Sequence, residues 1–183
     1  MEQMSGAQLK SEGMRIGIGV DYHRFAPGRR LILGGVEIEH ELGLAGHSDA
    51  DVLTHAICDA LLGAAGLGDI GRHFPSDDPR YRDISSLVLL GEVRGMLQER
   101  GYRIENIDAT VIAQEPRLEG AIPEMISRLA RTLQVEEGRI NIKATTPEGM
   151  GALGKKEGLA AWAVALLTSA ADEPEDVVVG DQK

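Results

Sequence analysis

The stretch from His47 to Gly63 constrains the fold of this chain most, because it combines a helix start, an apolar helical face and a polar stripe. Ser48 is followed three residues later by Asp51, a capping-box-like arrangement, so we predict that a helix begins here. Apolar residues at helical spacing predict a broad buried face, made of Val52, Leu53, Ala56, Ile57, Ala60 and Leu61. Asp51, His55 and Asp59 form a polar stripe beside it. Surface pairing of His55 with Asp59 is the alternative interpretation of that stripe.

Composition narrows the class of protein. The 183 residues suffice for one domain with a sizeable core, and 43% of them are hydrophobic. With only 3% aromatic residues and 23 glycines, the core should consist of aliphatic side chains packed around glycines. The net charge of -10 argues against nucleic acid or an anionic membrane as a partner. An anionic small molecule would need local cations, metals or helix N-termini.

Further features bear on location and domain limits. Cys58 is the only cysteine, so no intramolecular disulfide can form, and a reducing compartment is expected. We see no apolar run of transmembrane length and no signal-peptide layout, so we expect a cytoplasmic protein. We expect residues 1–14 to be a mobile extension, 15–169 to form a single domain, and the acidic tail 170–183 to be disordered.

The first patterned segment, residues 15–25, alternates with period two and predicts a strand. Asp21 and His23 would then project from one face of it, next to Gly17 and Gly19. Two glycines on one face leave room for something to approach the backbone closely.

The remaining segments predict a mixed sheet with helices, an α+β or α/β sandwich. The last apolar segment, Leu159 to Ser169, fits a helix or a buried strand equally by its pattern. The other predicted elements are two short strands around Gly34-Gly35, a turn-rich loop over 69–79, a helix over 85–99, a strand over 104–113, a helix opened by Pro123, and a strand over 139–145.

Asp21, His23 and His55 form the strongest candidate site. Two imidazoles and one carboxylate are a ligand set that leaves zinc a fourth, open position, as in catalytic zinc sites. Structural zinc usually has cysteine ligands, and this chain has one cysteine. The alternative is that these are ordinary polar residues of a strand end and a helix.

A second candidate is the segment from Lys143 to Gly158, where a strand is followed by hydroxyls, an acid and glycines. Such a loop could hold phosphates through hydroxyls and backbone amides, and Glu148 could hold a hard cation such as magnesium. The alternative is an ordinary glycine-rich turn, since the segment has no P-loop or dinucleotide fingerprint.

Six segments between Arg15 and about Ser169 resemble, in order and spacing, the 2-C-methyl-D-erythritol 2,4-cyclodiphosphate synthase family. The segments are Arg15-Ile-Gly-x-Gly-x-Asp21-x-His23-x-Phe25; Gly34-Gly35-Val36; His47-Ser48-Asp49-x-Asp51-Val52-x-x-His55-Ala56-x-x-Asp59-Ala60-Leu61-Leu62-Gly63-Ala64-Ala65; Gly68-Asp69-Ile70-Gly71-x-x-Phe74-Pro75; Ile112-Ala113-Gln114-x-Pro116; and Ile142-Lys143-Ala144-Thr145-Thr146-x-Glu148. The third segment alone is nearly diagnostic.

The resemblance implies a mixed four-stranded core sheet with helices on one face, extra N-terminal strands or a hairpin, and a strand for the last apolar segment. It implies a homotrimer with active sites between subunits. The implied reaction cyclises 4-diphosphocytidyl-2-C-methyl-D-erythritol 2-phosphate to the 2,4-cyclodiphosphate with release of CMP, a phosphorus-oxygen lyase step of the non-mevalonate isoprenoid precursor pathway.

The resemblance also implies roles for individual residues. Asp21, His23 and His55 would bind Zn²⁺ or a similar metal, Asp59 would orient the metal-site helix and contact a ligand histidine, and Glu148 would bind Mg²⁺ or Mn²⁺. His47, Thr146 and Asp59 would be the catalytic residues. The implied substrate-binding residues are Asp21, Tyr22, His23, His47, Ser48, Asp69, Ile70, Gly71, Phe74, Asp78, Ala113, Pro116, Arg117, Leu118, Thr145, Thr146, Pro147, Glu148, Ala152 and Lys155.

This sequence departs from the family pattern at Pro147, Ala152 and Lys155, where threonine, a bulkier residue and arginine are more usual. The last two departures put a ligand in the trimer's central cavity in doubt. Two other function classes remain open: a zinc-dependent phosphohydrolase with the same ligands, and a non-catalytic, metal-stapled trimeric binding protein. Asp59, Thr146 and Glu148 are all present, which favours the enzyme.

Overall fold

The predicted first strand is β1, Arg15–Ala26, in the computed structural model. The structure describes residues 13–169, so residues 1–12 of the predicted extension and the whole predicted tail lie outside the described residues. The other strands are β2 (Leu31–Leu33), β3 (Val36–Ile38), β4 (Gly43–Leu44), β5 (Tyr102–Ile112), β6 (Ile140–Thr145) and β7 (Gly158–Ser169). The α-helices are α1 (Val52–Ala65), α2 (Ile70–His73), α3 (Ser86–Glu99), α4 (Ile122–Leu133) and α5 (Gly151–Gly154).

The main sheet has the strand order β4-β1-β7-β5-β6. Strands β5 and β6 are parallel and the other neighbours are antiparallel, which confirms the predicted mixed sheet. Because β4 has only two residues, four long strands form the core of the sheet. The last apolar segment is the strand β7, as the resemblance implies, and it lies between β1 and β5. The predicted short strands β2 and β3 form a separate hairpin.

Hydrophobicity alone would not predict which face of β1 is exposed and which is buried. Ile16 and Ile18 are 74% and 66% exposed, whereas Gly17 and Gly19 face α1. A Cβ atom added to Gly17 would lie 2.0 Å from the Ala60 carbonyl oxygen. The helix therefore packs directly on the strand backbone, so the element that uses the space above the glycines is α1 itself.

The predicted start of α1 is wrong by one turn. The helix begins at Val52 and its N-cap is Asp51, whose side chain accepts a hydrogen bond from the Thr54 amide over 3.0 Å. The hydroxyl oxygen of Ser48 instead accepts from the amide of Ala50. The predicted apolar face is confirmed, since all of its residues are fully buried.

Asp51 is also fully buried, so it does not belong to an exposed polar stripe. Its carboxylate accepts from the amides of Gly34 and Gly35 over 2.9 and 2.7 Å, at the turn of the β2–β3 hairpin. Both glycines have positive φ, as a two-residue hairpin turn of this type requires. A carboxylate has the acceptor capacity for both the hairpin turn and the helix start, which a serine hydroxyl lacks.

The other elements agree with the sequence except in detail. The predicted loop over 69–79 contains the one-turn helix α2. The helix α3 begins at Ser86, with Leu89, Leu90, Val93 and Leu97 buried, as expected. Cys58 is buried, in keeping with a core position. Among the described residues, no helix combines the length and apolar character needed to cross a membrane.

Candidate metal centre and adjoining cavity

Asp21, His23 and His55 converge, although a strand and a helix supply them. The Nε2 atom of His23 and the Nδ1 atom of His55 each lie 3.0 Å from Oδ2 of Asp21, and 3.2 Å from each other. Asp21 and His23 share the face of β1 that α1 covers, and His55 lies on the second turn of α1. The predicted clustering is therefore confirmed, and its three donor atoms could hold a metal ion.

The donor set and its spacing fit a tetrahedral metal. Zinc bonds of about 2.0 Å to nitrogen and oxygen imply ligand atoms about 3.3 Å apart at the corners of a tetrahedron. The three observed separations, 3.0 to 3.2 Å, are close to that value. Two imidazoles and a carboxylate would leave such a metal a fourth position, and His23 and His55 also line the cavity described below.

The pKa values of this cluster follow from its contacts. Burial opposes ionisation of Asp21, but hydrogen bonds from His23 and His55 hold the pKa of its carboxyl well below the usual range. Burial also opposes the charged form of His23, but the hydrogen bond with Asp21 raises the pKa of that imidazole. These contacts therefore favour the carboxylate form of Asp21.

Contacts behind the cluster orient the two rings. The Nδ1 atom of His23 lies 2.6 Å from the carbonyl oxygen of Ala45, which can only accept, so Nδ1 donates and Nε2 is the nitrogen left to bind a metal. For His55, Nε2 lies 2.8 Å from the hydroxyl oxygen of Ser86 and 3.2 Å from that of Ser48. The sequence analysis did not single out Ser86, because it lies 31 residues from His55 and no local pattern joins the two.

Asp59 does not make the contact expected of it. Its carboxylate accepts from the amide of Ile70 over 2.7 Å, and Ser86 and Ser48 are the partners of the outer nitrogen of His55. Burial and the nearby carboxylates of Asp69 and Asp21 raise the pKa of Asp59, against the effect of the Ile70 amide. Asp59 thus joins α1 to α2, and its predicted catalytic role stays a prediction.

A cavity of about 380 Å³ adjoins the cluster. Five other predicted site residues line it with His23 and His55, namely His47, Ser48, Ile70, Gly71 and Phe74. The Nε2 atom of His47 is buried and has no hydrogen-bond partner among the residues that the structure describes. An unpartnered imidazole nitrogen beside a cavity suits a ligand that supplies an acceptor or a donor.

Some predicted loop contacts are placed differently. Asp69 caps α2 by accepting from the Arg72 amide, and Asp78 accepts from Arg80, whereas Asp77 lines the cavity. Pro75, Ser76 and Asp77, from the loop that the resemblance implies closes over the substrate, also line the wall. Tyr81 and Leu89 complete the wall and were not predicted as site residues from the sequence. Tyr22 lies on the opposite face of β1, where its ring meets that of Trp162 edge-on at 5.3 Å.

The second group of predicted residues lies at the ends of β5 and β6. The amide of Ala113 donates to the carbonyl oxygen of Thr145 over 3.0 Å, and the hydroxyl of Thr146 donates to Glu148 over 2.5 Å. Thr145, Thr146 and Glu148 are all exposed. Around them, Leu118 is buried, Pro116 and Pro147 are partly buried, and Arg117, Ala152 and Lys155 are exposed.

The two groups lie at the same edge of the sheet but do not meet. Strands β1, β5 and β6 all run antiparallel to β7 or parallel to one that does, so their carboxyl ends share an edge. β1 and β6 are three strand spacings apart, about 14 Å. Asp21 and His23 face the helices, whereas Thr145 alternates with the buried Ile140 and Ile142 and so faces away from them.

Comparison with known proteins decides the family. The model of the YgbB family matches residues 14–168. A 2-C-methyl-D-erythritol 2,4-cyclodiphosphate synthase of Syntrophomonas wolfei is 59% identical over 157 residues, which cover 86% of this chain and 100% of that protein. The chain belongs to this family. A second synthase of the family, from Nitrosospira multiformis, is 55% identical and covers 88% of this chain and 94% of its own length.

Solved structures agree with this family. The bifunctional IspDF of Campylobacter jejuni is 43% identical and superposes with a TM-score of 0.84; the match covers 87% of this chain and 43% of that longer one. The IspF of Plasmodium falciparum, in complex with CDP, is 34% identical with a TM-score of 0.76, and the match covers 86% of this chain and 97% of that one. The fold implied by the resemblance is thereby confirmed.

Proposed function

We propose that this protein cyclises 4-diphosphocytidyl-2-C-methyl-D-erythritol 2-phosphate to 2-C-methyl-D-erythritol 2,4-cyclodiphosphate and releases CMP. One observation carries the proposal: within a chain of the YgbB family, Asp21, His23 and His55 converge beside a cavity. His47 also lines this cavity, and its buried Nε2 atom has no partner among the described residues. The synthase names of the relatives and the CDP in the structure from Plasmodium falciparum support the same substrate class.

The reaction itself sets what the site must supply. An oxygen of the 2-phosphate attacks the β-phosphorus, the bond from that phosphorus to the bridging oxygen breaks, and CMP leaves with that oxygen. The nucleophile is a phosphate with a second pKa of about 6, so no strong general base is required. The protein must align two anions and disperse the charge on the β-phosphate.

The cavity residues fit these requirements. Asp21, His23 and His55 would hold Zn²⁺ or a similar divalent metal, which supplies Lewis-acid stabilisation of phosphate oxygens when bound. His47 would donate a hydrogen bond to a phosphate oxygen, and Ser48 would bind beside it. The backbone of Ile70 and Gly71 would hold the methylerythritol part, with Asp69 keeping α2 in place. Phe74 and the loop through Asp78 would exclude water, which would otherwise give a linear product.

The second group would bind the nucleotide. Thr145, Thr146 and Glu148 are exposed at the ends of the strands and would contact the diphosphate, with Glu148 holding Mg²⁺ or Mn²⁺. Ala113, Pro116, Arg117 and Leu118 would receive cytosine and ribose largely through backbone groups. Tyr22, Pro147, Ala152 and Lys155 remain predicted contacts of the substrate.

A homotrimer would bring the two groups together. The face of the sheet that carries no helix exposes Ile16, Ile18, Val20, Tyr22 and Val164. An apolar sheet face of this kind is typical of a surface that another chain covers. Since Thr145 faces that side and the metal cluster faces the helices, a site that uses both groups needs a second copy of the chain.

Phosphorus NMR of the purified protein with the substrate, Zn²⁺ and Mg²⁺ tests the reaction. We expect CMP and a cyclic diphosphate to appear together. A linear diphosphate or free phosphate would indicate the phosphohydrolase instead, and binding without turnover would indicate the metal-stapled binding protein.

Mixing two inactive variants tests the shared site. His55→Ala inactivates the metal cluster and Thr146→Ala the nucleotide group, so each variant alone should be inactive. If each site takes one group from each of two neighbouring chains, a 1:1 mixture after subunit exchange should regain about one quarter of the wild-type activity. No recovery in trimers shown to be mixed would place both groups in one chain.

A further inference from the structure

We propose that Ser86 and Asp49 are positioning residues that hold the His55 ring in its metal-binding state; the inference rests on the metal centre of the proposed function. The hydroxyl oxygen of Ser86 lies 2.8 Å from Nε2 of His55. The same hydroxyl bonds to Oδ1 of Asp49, 37 residues away in the chain. A carboxylate, a hydroxyl and an imidazole thus form a chain of hydrogen bonds that ends at the metal cluster.

The proton positions in this chain of hydrogen bonds follow from the chemistry of its members. The Ser86 hydroxyl donates its hydrogen bond to Oδ1 of the Asp49 carboxylate, which serves as the acceptor. The Ser86 oxygen then accepts from Nε2–H of His55. This contact places a proton on Nε2, so Nδ1, which faces Asp21 and His23, is the nitrogen left to bind a metal.

Burial keeps water from competing with Ser86 for the His55 ring. Ser86 is fully buried, so water cannot readily replace its hydroxyl behind the ring. Ser48 also approaches Nε2, but at 3.2 Å, and its oxygen already accepts from the amide of Ala50. Ser48 lines the cavity, and Ser86 is absent from the described lining. We therefore assign orientation of the ring to Ser86 and leave Ser48 to the substrate.

The Asp49 carboxylate also fixes where Ser86 stands. Its Oδ2 atom accepts from the amide of Ser86 over 3.0 Å, at the first turn of α3. The amide of Asp49 donates to the carbonyl oxygen of Ile84, and the amide of Asp83 donates to that of His47. The loop before α1 and the start of α3 are thus bonded to each other on both sides of the ring, and the carboxylate faces the positive end of the α3 dipole.

Zinc affinity measured by chelator competition tests the inference without turnover. We expect Ser86→Ala to weaken zinc binding by about 10- to 100-fold, the range found when groups that orient metal ligands are removed. Asp49→Asn keeps the size of the side chain but removes the charge, so it should weaken binding in the same direction. The adjacent Ser85→Ala is the matched control, because the Ser85 side chain makes no capping bond, and its affinity should equal that of the wild type.

A cobalt-substituted sample provides the second measurement. Reorientation of His55 changes the ligand field, so the visible absorption of Co²⁺ should shift in Ser86→Ala and not in Ser85→Ala. Circular dichroism and thermal unfolding of the metal-free proteins identify a variant that merely fails to fold, in which case Asp49→Asn decides. Wild-type affinity and spectrum in folded Ser86→Ala would overturn the inference, whereas a wild type that binds no zinc would overturn the metal centre itself.

Discussion

The metal cluster and the nucleotide group differ in how many of their polar contacts a single chain supplies. The nucleotide group consists of Thr145, Thr146 and Glu148. In the cluster, the outer ring nitrogens contact Ala45 and Ser86, and the inner ones contact Asp21. In the nucleotide group, Thr146 and Glu148 are exposed and bond mainly to each other. Glu148 also adopts a positive φ of 51°, which is uncommon for a residue other than glycine.

This difference shows which interactions fix the side chains in each half of the proposed site. The cluster lies between β1 and α1, so packing of the core fixes it before any ligand arrives. The nucleotide group follows the ends of two strands and has solvent on the side that faces away from the helices. In the proposed function, its remaining partners are the nucleotide, a cation and a second copy of the chain.

Removal of a metal ligand should have the largest effect. His55→Ala deletes one of three donors, so we expect zinc and activity to be lost together, with activity falling on the order of 10³-fold. Metal analysis and CMP release measure the two losses. The control is His73→Ala, whose ring contacts the carbonyl oxygen of Leu67 outside the cluster. A His55→Ala protein that keeps both zinc and activity would contradict the ligand assignment.

A substitution that pushes α1 away from β1 should move His55 away from Asp21 and His23, and it should also destabilise the protein. A Cβ atom at residue 19 would lie 2.0 Å from the Ala56 carbonyl oxygen, so Gly19→Ala should lower the free energy of unfolding by about 3 kcal/mol or more. The protein should also bind zinc more weakly. Denaturant unfolding measures the first effect and chelator competition the second.

Gly91→Ala is the matched control for this change. The added methyl group in the middle of α3 meets no atom within 4 Å, so the better helix propensity of alanine should stabilise the protein by about 0.5–1 kcal/mol. Equal effects of the two substitutions would mean that close contact of α1 with β1 does not support the cluster.

Changes in the nucleotide group should leave the fold and the metal intact. Thr146→Ala removes one exposed hydroxyl, so we expect an activity loss of about 10²-fold. Its free energy of unfolding should stay within about 0.5 kcal/mol of the wild-type value. Steady-state kinetics, zinc analysis and thermal unfolding form the test. Loss of zinc in this variant would show that the two groups are not independent.

The smallest effect concerns Glu105, near the opposite ends of the strands. Hydrogen bonds from Arg139, Thr168 and Arg103 lower the pKa of Glu105 from 4.5 to about 2. The carboxylate therefore stabilises the native state at pH above 4.5, and this contribution is lost as the pH falls from 4.5 towards 2.

We expect Glu105→Gln to cost less than about 1 kcal/mol at neutral pH, since exposed ion pairs contribute little. Denaturant unfolding from pH 7 to pH 3 should show the gap between wild type and variant narrowing with acidification. Zinc binding at neutral pH should not change. A gap that widens in acid would contradict the assignment.

Local patterns in the sequence predicted most of the elements and the candidate metal ligands. Period-two and helical patterns are local, so they located β1, α3 and β5 closely and α1 to within one turn. Asp21 and His23 had to share a face of any strand they occupied. The motifs carried the family and, through it, the strand β7. The apolar character of Ile16 and Ile18 did not tell which face of β1 meets a helix, because glycines pack there instead.

The contacts that support the candidate ligands become visible when the packed structure is known. It assigned the cap of α1 to Asp51, moved Asp59 from a ligand histidine to Ile70, and placed Ser86 and Asp49 behind His55. These contacts depend on how α1, α3 and the hairpin pack against one another. Hydrogen-bond partners of that kind leave no periodic pattern in the sequence. In the structure, α1 carries its N-cap Asp51 and the candidate metal ligand His55, which Ser86 and Ser48 contact.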